Sequence, residues 1–191
     1  MIKRFAIVLV LLALLGACSQ PPDDGGGGGD LDPFYLDTYS TSGNPTATGP
    51  TLANGVKYIL TVRGTHSSWT AAQWEDGVCE GEPEAAPTYA SPAVTNGPVG
   101  MDAVWVFAVP NGSGRCGADM PLKESGITVS LDGRRSNYLS WMHEGTEPAA
   151  DHVYEFEVTG RGMPIVMSRI TGSPDNNYGR LRIEVSRVVA D

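Results

Sequence analysis

The sequence predicts an all-β protein, an antiparallel β-sandwich of the jelly-roll or galactose-binding type with seven to eight strands. From about residue 56 onward, short segments alternate apolar with polar residues, which is the two-residue period of a half-buried strand. Gly, Pro, Asn and Asp separate these segments, and the 24 Gly and 14 Pro of the 191-residue chain disfavour long helices. Roughly 135 residues divided in this way suit a sandwich.

The first predicted strands precede residue 143. Segment 57–63 alternates regularly and segment 102–109 is an apolar run, and each is long enough to cross a sheet. Segments 126–131 and 134–142 flank the dipeptide Asp132-Gly133, which suits the positive φ angles of a tight hairpin. We therefore expect these two segments to pair antiparallel.

The last third of the chain has the most regular pattern. Predicted strands cover residues 152–159, 164–170 and 179–189. The side chains expected to face inward from the first and last of these are Tyr154, Phe156, Val158, Leu181, Ile183 and Val185.

The solvent face of the same two strands carries opposite charges. Glu155 and Glu157 are expected to lie beside Arg180 and Arg182. Such cross-strand pairs contribute only about 0.2–1 kcal/mol each, so we take them as an indication of register and not of function.

Composition and motifs exclude several classes of function. The chain has 22 acidic and 13 basic residues, a formal net charge of −9, and a nucleic-acid partner would require clustered Lys and Arg. Neither Gly-x-Ser-x-Gly nor His-Glu-x-x-His occurs, and the spacing of His66, His143 and His152 does not indicate metal ligation. We expect no enzymatic activity, no catalytic residues and no nucleic-acid binding.

Residues 1–17 have the pattern of an export signal. Lys3 and Arg4 precede an apolar run that is too short to span a bilayer comfortably. The end of the run, Leu15-Gly16-Ala17-Cys18, resembles the lipobox of bacterial lipoproteins, in which the Cys thiol receives a diacylglycerol and the peptide is cut before it. The alternative is an ordinary cleaved signal followed by an incidental Cys.

The lipobox resemblance implies a membrane-anchored protein whose mature chain starts at Cys18. Several acyl chains on one residue anchor a protein stably, since each buried CH₂ contributes about 0.8 kcal/mol. Ser19 is not the Asp that in many diderm bacteria signals retention in the inner membrane. We therefore expect a cell-envelope protein at the outer membrane or cell surface.

A flexible tether is predicted for residues 18–50, followed by a β-sandwich domain over residues 51–191. The tether includes the glycine run 25–29, and its coil-like span from Cys18 to residue 31 is roughly 20 Å. Residues 31–55 are rich in turn-forming residues, and the sequence leaves open whether they complete the sheet.

Cys79 and Cys116 are predicted to form a disulfide, because an exported protein folds in an oxidising compartment. Closing a loop of that length contributes roughly 4 kcal/mol in the chain-entropy model. A zinc pair or a nucleophilic Cys is the alternative, and it lacks the partner spacing that such sites show.

Two segments carry a family resemblance. The first segment, residues 64–74, follows a strand and contains Gly, Ser, an aromatic residue and a downstream Gln and Trp. The second, residues 173–183, contains an Asn-Asn pair, one spacer residue and a Gly before the last strand. Both resemble the calcium-side loops of the PA-IL-like galactose-binding lectins, which are small jelly-roll β-sandwiches. The resemblance extends over about residues 52–189, although specific residues match only in these two loops.

The resemblance implies a Ca²⁺ ion held by loop oxygens and bound directly to sugar hydroxyls. By position, Asn176 and Asn177 would supply side-chain oxygens, Ser173 a backbone carbonyl, and the Ser68 or Trp69 region another carbonyl. These are ligands that Ca²⁺ accepts.

One position departs from the family pattern. The lectins carry an aspartate seven residues before the first Asn, and this chain has Arg169 there. A cation in place of an anion weakens the attraction for a metal ion. Asp175, next to the Asn pair, is the carboxylate that would compensate. The alternative interpretation of residues 175–179 is a turn of residues that tolerate left-handed backbone.

Aromatic and polar side chains of the first loop are the candidate sugar contacts. Trp69 and Trp74 would offer apolar faces to the sugar, while Gln73 and His66 would donate to its hydroxyls. The alternative places both Trp side chains in the core. Trp105 and Trp141 lie within strand patterns and are expected to be core residues.

The sequence thus predicts a lipid-anchored envelope protein that recognises carbohydrate through loops at one end of a sandwich, assisted by calcium. The rival class is a non-enzymatic structural or assembly lipoprotein that binds another envelope protein. An inhibitor or accessory subunit is a third alternative.

Overall fold

The fold is known from a computed structural model, which describes residues 30–68, 100–109, 123–172 and 174–189. The strands in these ranges are β1 (Leu31–Asp37), β2 (Thr46–Leu52), β3 (Lys57–Arg63), β4 (His66–Ser67), β5 (Trp105–Val106), β6 (Lys123–Glu124), β7 (Ile127–Ser130), β8 (Ser136–Tyr138), β9 (Val153–Thr159), β10 (Met163–Arg169) and β11 (Tyr178–Arg187). A four-residue helix, α1 (Leu139–Met142), follows β8, and a 3₁₀ turn (Pro174–Asn176) precedes β11.

The long strands form two antiparallel sheets. One has the order β1-β11-β3-β9, with β4 paired to the start of β11; the other has the order β2-β10-β7-β8. Strands β5 and β6 form a separate short pair. The prediction of an all-β antiparallel sandwich is confirmed.

The core lies between the two sheets and follows the two-residue period of the strands. In β3 the side chains of Tyr58, Leu60 and Val62 are buried, while those between them are not. Ile165 and Met167 from β10 in the other sheet belong to the same buried cluster. The inward-facing residues predicted for β9 and β11 are all buried, so that prediction is confirmed.

The predicted apolar strand over 102–109 is shorter than expected, since only Trp105–Val106 pairs as β5. Asp102 is the physical reason. Its Oδ1 accepts backbone N–H groups from Val104 and Trp105 at 2.8 and 2.7 Å, which closes a turn where the pattern suggested extended chain.

The hairpin predicted at Asp132-Gly133 is confirmed in its pairing, with Ser130 opposite Ser136 in β7 and β8. Its loop has five residues instead of two. Gly133 takes the positive φ of 67° that the turn needs, and Asp132 Oδ1 accepts the backbone N–H groups of Arg134 and Arg135. The predicted strand 134–142 ends early, because residues 139–142 form α1.

The predicted charge pairs between β9 and β11 are wrong. Strand β3 lies between these two strands. Glu157 instead pairs with Lys57 of β3 at 2.6 Å, and Arg180 pairs with Asp37 of β1. Alternation in a sequence indicates which face a side chain takes but not which strand is its neighbour.

Residues 31–55, which the sequence left open, contribute one strand to each sheet. β1 pairs with β11, and β2 pairs with β10. Leu36 and Leu52 are fully buried between the sheets. The ordered domain therefore includes residues that the sequence assigned to the tether. Within the described ranges, the structure contains no helix with the length and apolar character needed to cross a membrane.

Candidate functional site

The described parts of the two loops that carry the lectin resemblance, residues 64–68 and 174–179, lie side by side. Strand β4 pairs with the first residues of β11, with Ser67 opposite Tyr178 and His66 opposite Gly179. More than a hundred residues of sequence separate the two segments. We call residues 64–68 and 174–179 together the loop rim.

Gly179 permits this close approach. Its φ of 99° lies in the region that disfavours side chains, and a Cβ at this position would lie 2.7 Å from the Thr65 carbonyl oxygen. The Gly of the sequence pattern is thus explained locally by the antiparallel pairing of β4 with the start of β11.

The loop between β1 and β2 holds the rim from a third side. Thr38 donates to the Gly179 carbonyl through both its backbone N–H and its Oγ1, at 3.1 and 2.8 Å. Asn177 Nδ2 donates to the Thr38 carbonyl at 2.7 Å, and the Ser40 N–H donates to the Pro174 carbonyl at 3.0 Å. Thr38 and Asn177 are both fully buried. The second half of the rim is therefore fixed in one conformation.

Two side-chain oxygens of the rim are buried without a hydrogen-bond partner among the described residues, Asn176 Oδ1 and Asn177 Oδ1. The bond from Asn177 Nδ2 to Thr38 sets the orientation of that amide, so its oxygen stays unpaired. An unsatisfied buried acceptor costs about 1–3 kcal/mol. Such oxygens suit a hydroxyl donor or a hard cation as partner. Asp175 beside them is exposed to solvent.

Arg169 places a positive charge next to the first half of the rim. Its Nη2 donates to Ser68 Oγ and its Nη1 to the Ile170 carbonyl. The residue is only 5% exposed. No ion pair joins it to a carboxylate in the part of the chain that the structure describes, and its Nε has no partner there. Burial lowers the pKa of Arg169 to about 10, so the side chain is still charged at neutral pH.

These residues fit a calcium ion on one side only. Asn176 and Asn177 offer free oxygens of the kind that Ca²⁺ takes. On the other side, the Ser68 hydroxyl is bound to a guanidinium, whose charge opposes a second cation. No group of three or more His, Cys, Asp or Glu side chains suited to a metal occurs within the described ranges.

His66, a predicted sugar contact, is fully buried. Its Nε2 lies 3.2 Å from the Asp102 carbonyl, and its Nδ1 has no partner within the described residues. Burial, and secondarily the charge of Arg169, hold the pKa of His66 well below its usual value. The ring is therefore neutral and supports the rim from beneath, without reaching its surface.

Several predicted residues lie outside the described part of the chain. They are Cys18, Trp69, Gln73, Trp74, Cys79, Cys116 and Ser173. The lipidation, the disulfide and three of the four predicted sugar contacts therefore stay predictions.

A buried carboxylate that the sequence did not single out lies behind the first half of the rim. Asp102 Oδ2 accepts a hydrogen bond from the Tyr154 hydroxyl at 2.7 Å and lies 3.1 Å from His152 Nδ1. Burial, and secondarily the Asp102 carboxylate, raise the pKa of Tyr154. His152 has a positive φ of 53° and stacks on Phe107, with 4.6 Å between ring centroids. This network fixes residues 100–109 against β9.

The expectation for Trp141 is wrong, because its side chain is 66% exposed. The helical turn of α1 breaks the strand alternation and rotates the side chain outward. Its Nε1 donates to Glu124 Oε1 at 2.7 Å, and its ring lies 4.7 Å from that of Tyr138. Trp105 is half-buried and packs against the core, as predicted.

Comparison of the chain with protein-family models, with curated proteins and with solved structures finds no match. The resemblance of the two rim segments to galactose-binding lectins stays a prediction. So does the resemblance of residues 15–18 to a lipobox.

Proposed function

We propose that the protein is a lipid-anchored component of a bacterial cell envelope and that it binds carbohydrate at the loop rim. One observation carries the proposal. The described parts of the two segments with the lectin resemblance, residues 64–68 and 174–179, are distant in sequence but adjacent in space through the pairing of β4 with β11. A binding site made of both segments requires this adjacency.

The chemistry of the rim suits a polyhydroxylated ligand. Asn176 is partly exposed, and its Oδ1 is an acceptor without a partner among the described residues that a sugar hydroxyl would satisfy. Asn177 is fully buried, so its unpaired Oδ1 does not face the ligand. Each new hydrogen bond contributes about 0.5–1.5 kcal/mol net. The rim is fixed by Thr38 and Ser40, so binding requires little ordering of the backbone.

The proposed binding site for calcium is the half of the rim that contains Asn176 and Asn177. Asn176 and Asn177 would hold the ion, which when bound would supply a direct contact to sugar hydroxyls. Arg169 disfavours the ion from the Ser68 side. The hydrogen-bonding groups of the rim bind sugar in either case, with Ca²⁺ as an additional ligand.

A glycan array probed with the membrane-extracted protein in detergent tests the proposal. We expect a group of related glycans to bind, and Asn176→Ala to weaken the binding, because this change removes an unpaired acceptor whose side chain makes no hydrogen bond with the described residues. Asn137→Ala, at an exposed position of β8, is the matched control.

The same preparation, measured with chelator and then with millimolar Ca²⁺, tests the metal. A ligand at 100 times its dissociation constant stabilises a protein by about 2.7 kcal/mol, which raises the melting temperature. An unchanged melting temperature would remove calcium from the proposal. An array without any bound glycan, together with one envelope protein that co-purifies, would favour the rival assembly function.

A further inference from the structure

A cleft of about 460 Å³ lies next to the loop rim, between β1, the loop of residues 38–45 and the start of β2. The chain crosses there from one sheet to the other, since β1 pairs with β11 and β2 pairs with β10. Its residues belong to the segment that the sequence assigned to the tether. Its volume lies within the range of roughly 300–1,000 Å³ that is typical of small-molecule sites.

Hydrogen bonds hold both ends of the loop that forms the cleft. At one end, Thr38 and Ser40 bond to the second half of the rim, as described above. At the other end, the Arg169 N–H donates to the Pro45 carbonyl at 2.9 Å, and the Thr171 N–H donates to Asn44 Oδ1 at 3.4 Å. The cleft is therefore present before any ligand binds.

The lining of the cleft combines two tyrosine rings with short polar side chains. Tyr35 is 40% exposed, and the Arg180 guanidinium lies over its ring, 5.1 Å from the centroid. Arg180 is itself paired with Asp37, so the charge of this carboxylate is compensated, and the guanidinium covers one face of the Tyr35 ring. Tyr39 is half-buried on the same lining.

The groups that line the cleft favour an uncharged ligand with both polar and apolar surfaces. Ser40 and Thr46 use their hydroxyls in local bonds to Ser42, Asn44 and Ser168, and Asn44 Oδ1 accepts from Thr171. The remaining lone pairs of the hydroxyl oxygens and the Asn44 amide N–H groups are uncharged groups for a ligand, and the tyrosine rings offer apolar surface. A ligand that presents both C–H faces and many hydroxyls matches this lining. A charged ligand has no free counter-charge there, because Asp37 and Arg180 neutralise each other.

We propose that the cleft binds a neutral saccharide unit of a glycan whose terminal sugar is bound at the loop rim. The inference rests on the proposed function and adds the class and length of its ligand: a neutral oligosaccharide instead of a single sugar. Ser40, on the lining of the cleft, donates its backbone N–H to the Pro174 carbonyl of the rim, so the cleft adjoins the rim.

A chain-length series tests this inference. Neutral galacto-oligosaccharides of one to four units are titrated into the full chain by calorimetry. We expect the longer members to bind about tenfold more tightly than the monosaccharide, and Tyr39→Leu or Tyr35→Leu to abolish the gain while leaving the monosaccharide affinity unchanged. Two variants are used so that a folding defect in one leaves the other informative.

Tyr138→Leu is the matched control, because Tyr138 lies on β8 at the far edge of the other sheet. The gain with length must persist in this variant. A gain with length that survives both cleft variants would overturn the cleft and leave sugar binding at the rim intact. A series in which no member binds would overturn the cleft proposal, whereas an array without any bound glycan would overturn the proposed function and the cleft proposal with it.

Discussion

At the residue scale, the loop rim depends on the missing side chain of Gly179. Replacement by Ala would place a Cβ 2.7 Å from the Thr65 carbonyl oxygen, in addition to the strain of a positive φ. We expect Gly179→Ala to lower the free energy of unfolding by about 2–4 kcal/mol, the sum of backbone strain and overpacking, and to abolish carbohydrate binding. Urea unfolding measures the first effect and the glycan array the second.

Gly55→Ala separates these two causes. Gly55 has a φ of 77° but no atom within 4 Å of the added Cβ. We expect a loss of about 1–2 kcal/mol from the backbone alone, with sugar binding retained. Equal losses in the two variants would show that β4 does not pass close to the start of β11.

His66 makes stability depend on pH. Its pKa in the folded state lies well below the unfolded value of 6.5. Between these two values the unfolded chain binds the extra proton and the folded protein does not, so stability falls as pH decreases below about 6.5. The slope attributable to one such group reaches about 1.4 kcal/mol per pH unit.

His66→Gln tests this dependence, because Gln lacks the titrating ring and its amide can still donate to the Asp102 carbonyl. Urea unfolding at several pH values from 7 downward should give a shallower slope for this variant than for the wild type. Asn137→Ala, at an exposed position without a titrating group, retains His66 and should retain the wild-type slope. Identical slopes in all three proteins would mean that His66 titrates normally in the fold.

Residues of the site could be predicted from the sequence only where a suitable residue type also occurs at the spacing of a known loop pattern. The Asn pair and Gly179 stood out because their order and spacing before the last strand resemble the second loop of the galactose-binding lectins, whereas turns of this composition are themselves common. Asp102 gave no signal, since a single carboxylate before an apolar run does not indicate which buried groups it will meet. The exposure of Trp141 depends on a helical turn of four residues, which is too short to produce a helical period.

At the element scale, the strands found from the sequence are those with one fully buried face. β3, β9, β10 and β11 alternate strictly, and each was predicted to within a few residues. β1 and β2 were not found, because most of their side chains are partly or fully exposed and little alternation remains. The alternation of residues predicts which side chains share a face of the sheet but not the strand order β11-β3-β9. The predicted charge pairs were wrong because they assumed that β9 and β11 are neighbours.

A truncation series tests whether β1 belongs to the domain. We expect removal of residues 19–29 to leave the melting temperature unchanged, because that composition offers nothing to bury. Removal through residue 38 should prevent folding, since it takes away β1 and the Thr38 bonds to the rim.

Leu36→Ala in the full chain is a milder form of the same test. Leu36 is fully buried, so we expect a loss of about 2–5 kcal/mol in urea unfolding. Val189→Ala, at an exposed position, serves as the control. A loss below 1 kcal/mol at Leu36 would place β1 outside the cooperative unit.

At the scale of the whole molecule, an acidic sandwich would be attached through a glycine-rich tether to a lipid. After the export signal is cut, the attachment of the protein to the membrane should depend on the lipid at Cys18, because the acidic sequence contains no cluster of Lys and Arg for membrane lipids. We expect Cys18→Ala to abolish both the acylation and the cut, so that the variant keeps residues 1–17. Mass spectrometry of the wild-type N-terminal peptide should show an acylated cysteine as the first residue. A wild-type chain that starts at another residue, or that carries a free thiol at Cys18, would contradict the lipid anchor.

The most direct test of sugar recognition is to map the amide chemical shifts of the labelled protein during titration with a glycan that binds on the array. We expect the largest changes to fall together on residues 64–68 and 174–179, with saturation at one common dissociation constant. Changes confined to the opposite end of the sandwich, or to only one of the two segments, would contradict a carbohydrate site at the loop rim.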